Sequence, residues 1–125
     1  HISYRINPID RWFNFYFEAK ERGLDPLWTI NHGWISGIYY KDPDGNLVEI
    51  FFEHFSSAEE FKSNISPDFE DEPIGTNMDV EVLYEMYKAG SDFSELITKG
   101  NTVPEGKKPV SGFDAVVNMK KKFKD

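Results

Sequence analysis

Apolar and polar residues alternate from His1 to Ile6, which is the pattern of a half-buried strand. Ile2, Tyr4 and Ile6 fall on one face and His1, Ser3 and Arg5 on the other. The period then lengthens. Pro8 and Asp10 open a helix that ends before Gly23, a glycine placed for a left-handed C-cap. Ile9, Phe13 and Phe17, flanked by Trp12 and Tyr16, supply its buried stripe. Extended patterns return over residues 26–31, 34–41 and 46–53. The elements order as β-α-β-β-β, a sheet with one helix on its face. Ile2, Tyr4 and Ile6 are expected beneath that helix, with His1, Ser3 and Arg5 on the opposite, concave face.

The third and fourth strands meet at Asp42-Pro43-Asp44-Gly45-Asn46. Proline fixes φ at the first corner, and Gly45 takes the left-handed position that closes a short hairpin. In the strand that follows, Val48, Ile50 and Phe52 share one face, and Leu47, Glu49 and Phe51 the other. Both faces are apolar, and one carboxylate interrupts them. A buried carboxylate is costly unless it is paired, protonated or bound to a metal, so Glu49 is the residue to explain. Arg5, on the same face, is the partner expected if the carboxylate is purely structural.

The second half has another character. A short helix is expected over 58–62, then an acidic loop through Pro67 and Pro73. Asp79 is a good N-cap for a helix over 80–89 stopped by Gly90, with Val82, Leu83 and Met86 as its apolar stripe. A further helical turn over 93–99, a loop over 101–111 and a last helix over 113–123 complete the chain. Residues 1–54 thus read as a βαβββ module and 55–125 as an extension of short helices and loops.

A chain of 125 residues suggests one domain. The 11 Phe, 6 Tyr and 3 Trp offer large rings to bury. A net charge of −8 argues against a nucleic-acid partner, and the basic run Lys120-Lys121-Lys122 reads as the solvated face of the last helix. No apolar run approaches the ~18 residues of a membrane span. The absence of cysteine excludes disulfides and thiolate metal sites and is compatible with a reducing cytoplasm, the compartment expected here. Asn64-Ile65-Ser66 has the spacing of a glycosylation acceptor, a triplet common by chance.

The opening His1-Ile2-Ser3-Tyr4, then Asn31-His32-Gly33, Ile38-Tyr39-Tyr40 and the hairpin through Glu49 resemble one βαβββ module of the vicinal-oxygen-chelate superfamily. The likeness is to the second module of an extradiol, catechol-cleaving dioxygenase, or to a glyoxalase or bleomycin-resistance protein. It implies an α+β fold, half of a paired-module barrel, followed by a helical and irregular C-terminal extension. It also implies an oxidoreductase that uses Fe(II), with Mn, Zn or Ni as the alternatives, and acts with O2 on a small aromatic diol. A glyoxalase-type isomerase and a non-catalytic ligand-binding relative remain the other outcomes.

By that resemblance His1 and Glu49 match two of the three metal ligands. The third, a histidine from a first module, has no counterpart here. Two imidazoles and a carboxylate on one face of an octahedral ion leave positions open for diol and O2. Read without the resemblance, His1 is an ordinary terminal histidine. Tyr39 matches an active-site tyrosine that hydrogen-bonds the substrate oxygen, and is otherwise a core aromatic. His32 lies two positions from the family's acid/base histidine, whose own place is taken by Ile30. It is a catalytic candidate because imidazole titrates near neutrality; otherwise it is a solvated loop residue. His54 reads as structural. The superfamily builds its site between two modules, so this chain needs a first module, upstream or in trans, or a second copy of itself. The start at His1, inside a strand and without an initiator methionine, favours a truncated or processed chain. A lone module would expose Leu47, Phe51, Ile35 and Tyr39.

Overall fold

The computed structural model describes residues 2–64 and 75–103. His1 therefore lies outside the described residues, as do the acidic loop through Pro73, most of the 101–111 loop, the helix expected over 113–123 and all of the Asn64 triplet but Asn64 itself. The fold is α+β. Strands β1 (Ile2–Arg5), β2 (Trp28–Asn31), β3 (Ile35–Lys41) and β4 (Leu47–Glu53) enclose helix α1 (Ile9–Glu21) in sequence order. Helix α2 (Ala58–Asn64), strand β5 (Thr76–Asn77), and helices α3 (Val80–Lys88) and α4 (Phe93–Leu96) follow. The mixed sheet runs β1-β4-β3-β2-β5. β1 is parallel to β4, and β4, β3, β2 and β5 pair antiparallel in turn. This arrangement is compatible with a βαβββ module.

The hairpin forms as its residues dictate. The Asp42 carboxylate accepts from the backbone N–H of Asp44 and Asn46, at 3.0 and 2.7 Å, and from the Asn46 amide at 3.1 Å. These bonds, Asn46 first, hold the Asp42 pKa below its ordinary value.

Helix α1 lies on the face made by Ile38, Tyr40, Ile50 and Phe52, and buries Ile9, Trp12, Phe13, Tyr16 and Ala19. The Trp12 indole N–H donates to the Ile50 carbonyl at 3.0 Å, and its ring meets Phe52 edge-on at 4.8 Å. Burying one such ring stabilises the fold by about 2 kcal/mol. Phe17 is only partly buried, at the margin of this core. α3 completes the layer: Val80 and Leu83 enter the same core, and Glu81 accepts from Tyr16 at 3.0 Å and Lys20 at 2.7 Å.

Three expectations change, the first in α3, where Val82 of the expected stripe is 41% exposed and Val80 is buried instead. Ile2 and Tyr4 are 50% and 56% exposed rather than covered by α1. Trp12 fixes the helix over β4 and β3, so the edge strand β1 lies beyond it, and only Ile6 reaches the core. On the other face Ile30, Ile35 and Tyr39 are buried, and Leu47 and Phe51 partly so, where a fully open apolar face was expected. β5 was not foreseen, because two polar residues carry no periodicity. It adds to β2 with Ile30 opposite Asn77 and Asn31 opposite Thr76.

Candidate active site

Directly opposed residues in neighbouring strands share a face. The register sets Glu49 beside Ser3 on one side and Tyr39 on the other, and Trp28 opposite Tyr39. Glu49 is only 4% exposed. Its Oε1 accepts from the Ser3 hydroxyl at 3.0 Å, and its Oε2 lies 3.4 Å from His32 Nε2. The same His32 nitrogen is 3.3 Å from the Tyr39 hydroxyl, which itself hydrogen-bonds the carboxylate. Gly37 makes room for this group: a Cβ there would stand 2.5 Å from Oε2.

Burial pushes the Glu49 pKa up. The hydrogen bonds from His32, Tyr39 and Ser3, with the nearby imidazole charge, outweigh that and hold it below the ordinary value. Burial first, then the charge of Glu49 and the hydrogen bond to it, drives the Tyr39 phenol far upward. The tyrosine is therefore a hydrogen-bond donor at neutral pH and not a base. With the tyrosine proton committed to the carboxylate, His32 Nε2–H is the donor shared between the phenol oxygen and Glu49.

Three of the candidates come together: Glu49, Tyr39 and His32. His32 is no solvated loop residue, its side chain being 15% exposed. Arg5 does not reach Glu49; it pairs with Glu53 at 3.6 Å in an exposed contact. Serine at position 3 does so instead, a role its strand face allowed but its residue type did not announce. Trp28 stacks on Tyr39 at 4.8 Å and 27°, and its indole N–H donates to Asn77 Oδ1 at 2.9 Å.

His54 is buried and serves the turn between β2 and β3. Its Nδ1 lies 3.1 Å from the Gly33 carbonyl and its Nε2 2.7 Å from the Ser36 hydroxyl. A carbonyl only accepts, so Nδ1 carries the proton and Nε2 accepts from Ser36. Burial pushes its pKa down to about 4.

Among the described residues no three His, Asp or Glu side chains form a metal-holding group. The donors present nevertheless fit Fe(II) in kind: a buried, ionised carboxylate, seated in the space that Gly37 leaves, and a nearby imidazole. Two donors are too few to hold the ion alone.

In sequence the chain is 30% identical over 100 residues to biphenyl-2,3-diol 1,2-dioxygenase 3 of Rhodococcus globerulus, covering 79% of this chain and 53% of that protein. It is 28% identical over 99 residues to biphenyl-2,3-diol 1,2-dioxygenase 2 of the same organism, covering 78% and 52%. The chain thus spans about half the length of the curated relatives it matches. No protein-family profile and no solved structure matches it. The likeness points to the extradiol dioxygenases of the vicinal-oxygen-chelate superfamily. A match of 100 residues does not fit within 1–54, so it runs on into the C-terminal extension.

Proposed function

We propose that this chain is the metal-carrying module of an extradiol dioxygenase-like enzyme of the vicinal-oxygen-chelate superfamily, acting on a catechol-type diol with O2. The observation that supports it most is the buried Glu49 carboxylate on the sheet face away from α1, shared between Ser3, Tyr39 and His32 in the recess left by Gly37. A purely structural site would gain by replacing so costly a group with an apolar one. Glu49 and His1 are the proposed ligands from this chain, with a further histidine from a first module or a second copy. Bound there, Fe(II) would supply a Lewis acid and a one-electron centre.

This chain's own residues would handle the substrate's protons. Tyr39 Oη holds a hydrogen bond available to a diol oxygen once the carboxylate turns to the metal. With the carboxylate on the metal and the phenol on the substrate, His32 Nε2 would lose both its acceptors, and in the tautomer that carries its proton on Nδ1 it would take a proton from the second hydroxyl and return it to the product. Trp28, stacked on Tyr39, offers a flat apolar wall for an aromatic ring.

Metal analysis after Fe(II) loading, on wild type, His1→Ala and Glu49→Gln, tests the ligands: both variants should lose metal. Oxygen uptake with catechol and 2,3-dihydroxybiphenyl tests the reaction, and Tyr39→Phe should slow it without loss of metal. Iron-loaded protein that consumes no oxygen with any diol, yet isomerises a glutathione hemithioacetal, would move the assignment to the glyoxalase type.

A further inference from the structure

The turn that carries His32 is held from three directions by groups with no part in the proposed chemistry. Asn31, 1% exposed, accepts from the Gly33 N–H at 2.8 Å through Oδ1 and donates through Nδ2 to the Ile97 carbonyl at 2.9 Å. His54 Nδ1–H donates to the Gly33 carbonyl at 3.1 Å and is itself fixed by Ser36. Both backbone groups of Gly33 are thus bound to buried side chains, and its φ of 95° is one that L side chains rarely adopt. From outside, Gly75 lies flat on the turn. A Cβ there would stand 2.1 Å from the Asn31 carbonyl oxygen and 2.8 Å from His32 Cα. β5 continues this clamp along β2, and Met78 N–H donates to the Thr29 carbonyl at 3.1 Å.

We infer that Asn31 and His54 are positioning residues for His32, and that the C-terminal extension, through Gly75 to Met78 and Ile97, clamps the turn that presents its ring to Glu49 and Tyr39. A buried amide bonded at both ends has one geometry open to it, since either end left unmet would carry the full cost of desolvation. The extension therefore acts as part of the site's scaffold, although it contributes none of the proposed reacting groups. Its catalytic consequence rests on the role proposed for His32; the clamp itself does not.

The test is by NMR on the metal-free chain. In wild type the Gly33 N–H and one Asn31 side-chain N–H should exchange slowly, and the His32 and Tyr39 rings should show mutual NOEs. Asn31→Ala should lose the His32–Tyr39 NOEs while keeping those between Trp12 and Phe52, which report the core. Retention of the His32–Tyr39 NOEs in a folded Asn31→Ala would overturn the inference. Should that variant not fold, wild-type exchange decides: unprotected Gly33 and Asn31 protons overturn it equally. Neither readout involves metal or diol, so a failure of the proposed reaction leaves this result standing, and the reverse holds too.

Discussion

Acid should destabilise this protein in a window set by His54, a residue outside the proposed chemistry. In the folded chain its pKa lies at about 4, because burial disfavours the imidazolium and the Gly33 carbonyl recovers little of that cost. In the unfolded chain it returns to the ordinary value of about 6.5. Between those two values the unfolded chain takes up a proton that the folded chain refuses, so falling pH favours unfolding. The contribution is complete above the unfolded value and lost as pH falls toward the folded one. The full span is worth about 3 kcal/mol, of which about 2 kcal/mol is lost between pH 7 and pH 5. That is a large part of the stability of a small domain.

The carboxylates held low in the fold, Glu49 among them, lose their own contributions only at more acid pH, through and below the ordinary carboxylate range. The difference between wild type and a His54 variant over the interval from pH 7 to pH 5 therefore isolates this histidine's share. Urea unfolding at fixed pH values, in wild type and His54→Gln, gives the free energies by linear extrapolation. The variant should be less stable at neutral pH, having lost the fitted bonds to Gly33 and Ser36. Over that interval its stability should fall by about 2 kcal/mol less than that of wild type. Parallel curves for the two proteins would refute the reasoning, since the proton taken up on unfolding would then belong to another group.

Gly37→Ala should cost about 1–3 kcal/mol by overpacking, because the Cβ meets a carboxylate already tied to Ser3, His32 and Tyr39. The same substitution should abolish metal uptake; an alanine variant with wild-type stability and metal content would show that Glu49 has room to move. Asp79→Ala should cost about 1 kcal/mol in urea unfolding, since the Asp79 side chain accepts from the Glu81 and Val82 N–H groups at 3.0 and 3.1 Å at the start of α3. No change there would mean that packing of Leu83 and Val80 alone holds the helix end.

Where a periodic pattern coincided with strong punctuation, sequence and structure agree. Pro8 and Gly23 bracket α1, Asp79 and Gly90 bracket α3, and Asp42 to Asn46 forms its hairpin. Burial was less legible. Ile2 and Tyr4 alternate as if covered, yet coverage depends on where α1 comes to rest, and its packing on β3 and β4, with the bond from Trp12 to Ile50, is long-range. β5 is two residues long and exists because β2 presents an unpaired edge, a property of the sheet and not of Thr76 and Asn77.

The same distinction explains the site. Glu49 was visible because a carboxylate inside an apolar strand breaks a local rule, and such breaks mark functional positions more often than structural ones. Its partners were not visible, because they depend on register. Arg5 and Ser3 share a strand face, and charge alone selects arginine. Parallel pairing puts Ser3 directly beside Glu49, and sends Arg5 along β1 to an exposed contact with Glu53. His32 looked solvated because it follows a strand beside a glycine. What buries it is a set of bonds to Gly33 from residues at positions 31 and 54, together with a glycine at 75. Each of these groups is unremarkable in sequence, and each is spent on geometry. The proposed reaction would ask for that, since its reacting groups must be held to within fractions of an ångström and neighbouring residues supply the rigidity that they lack.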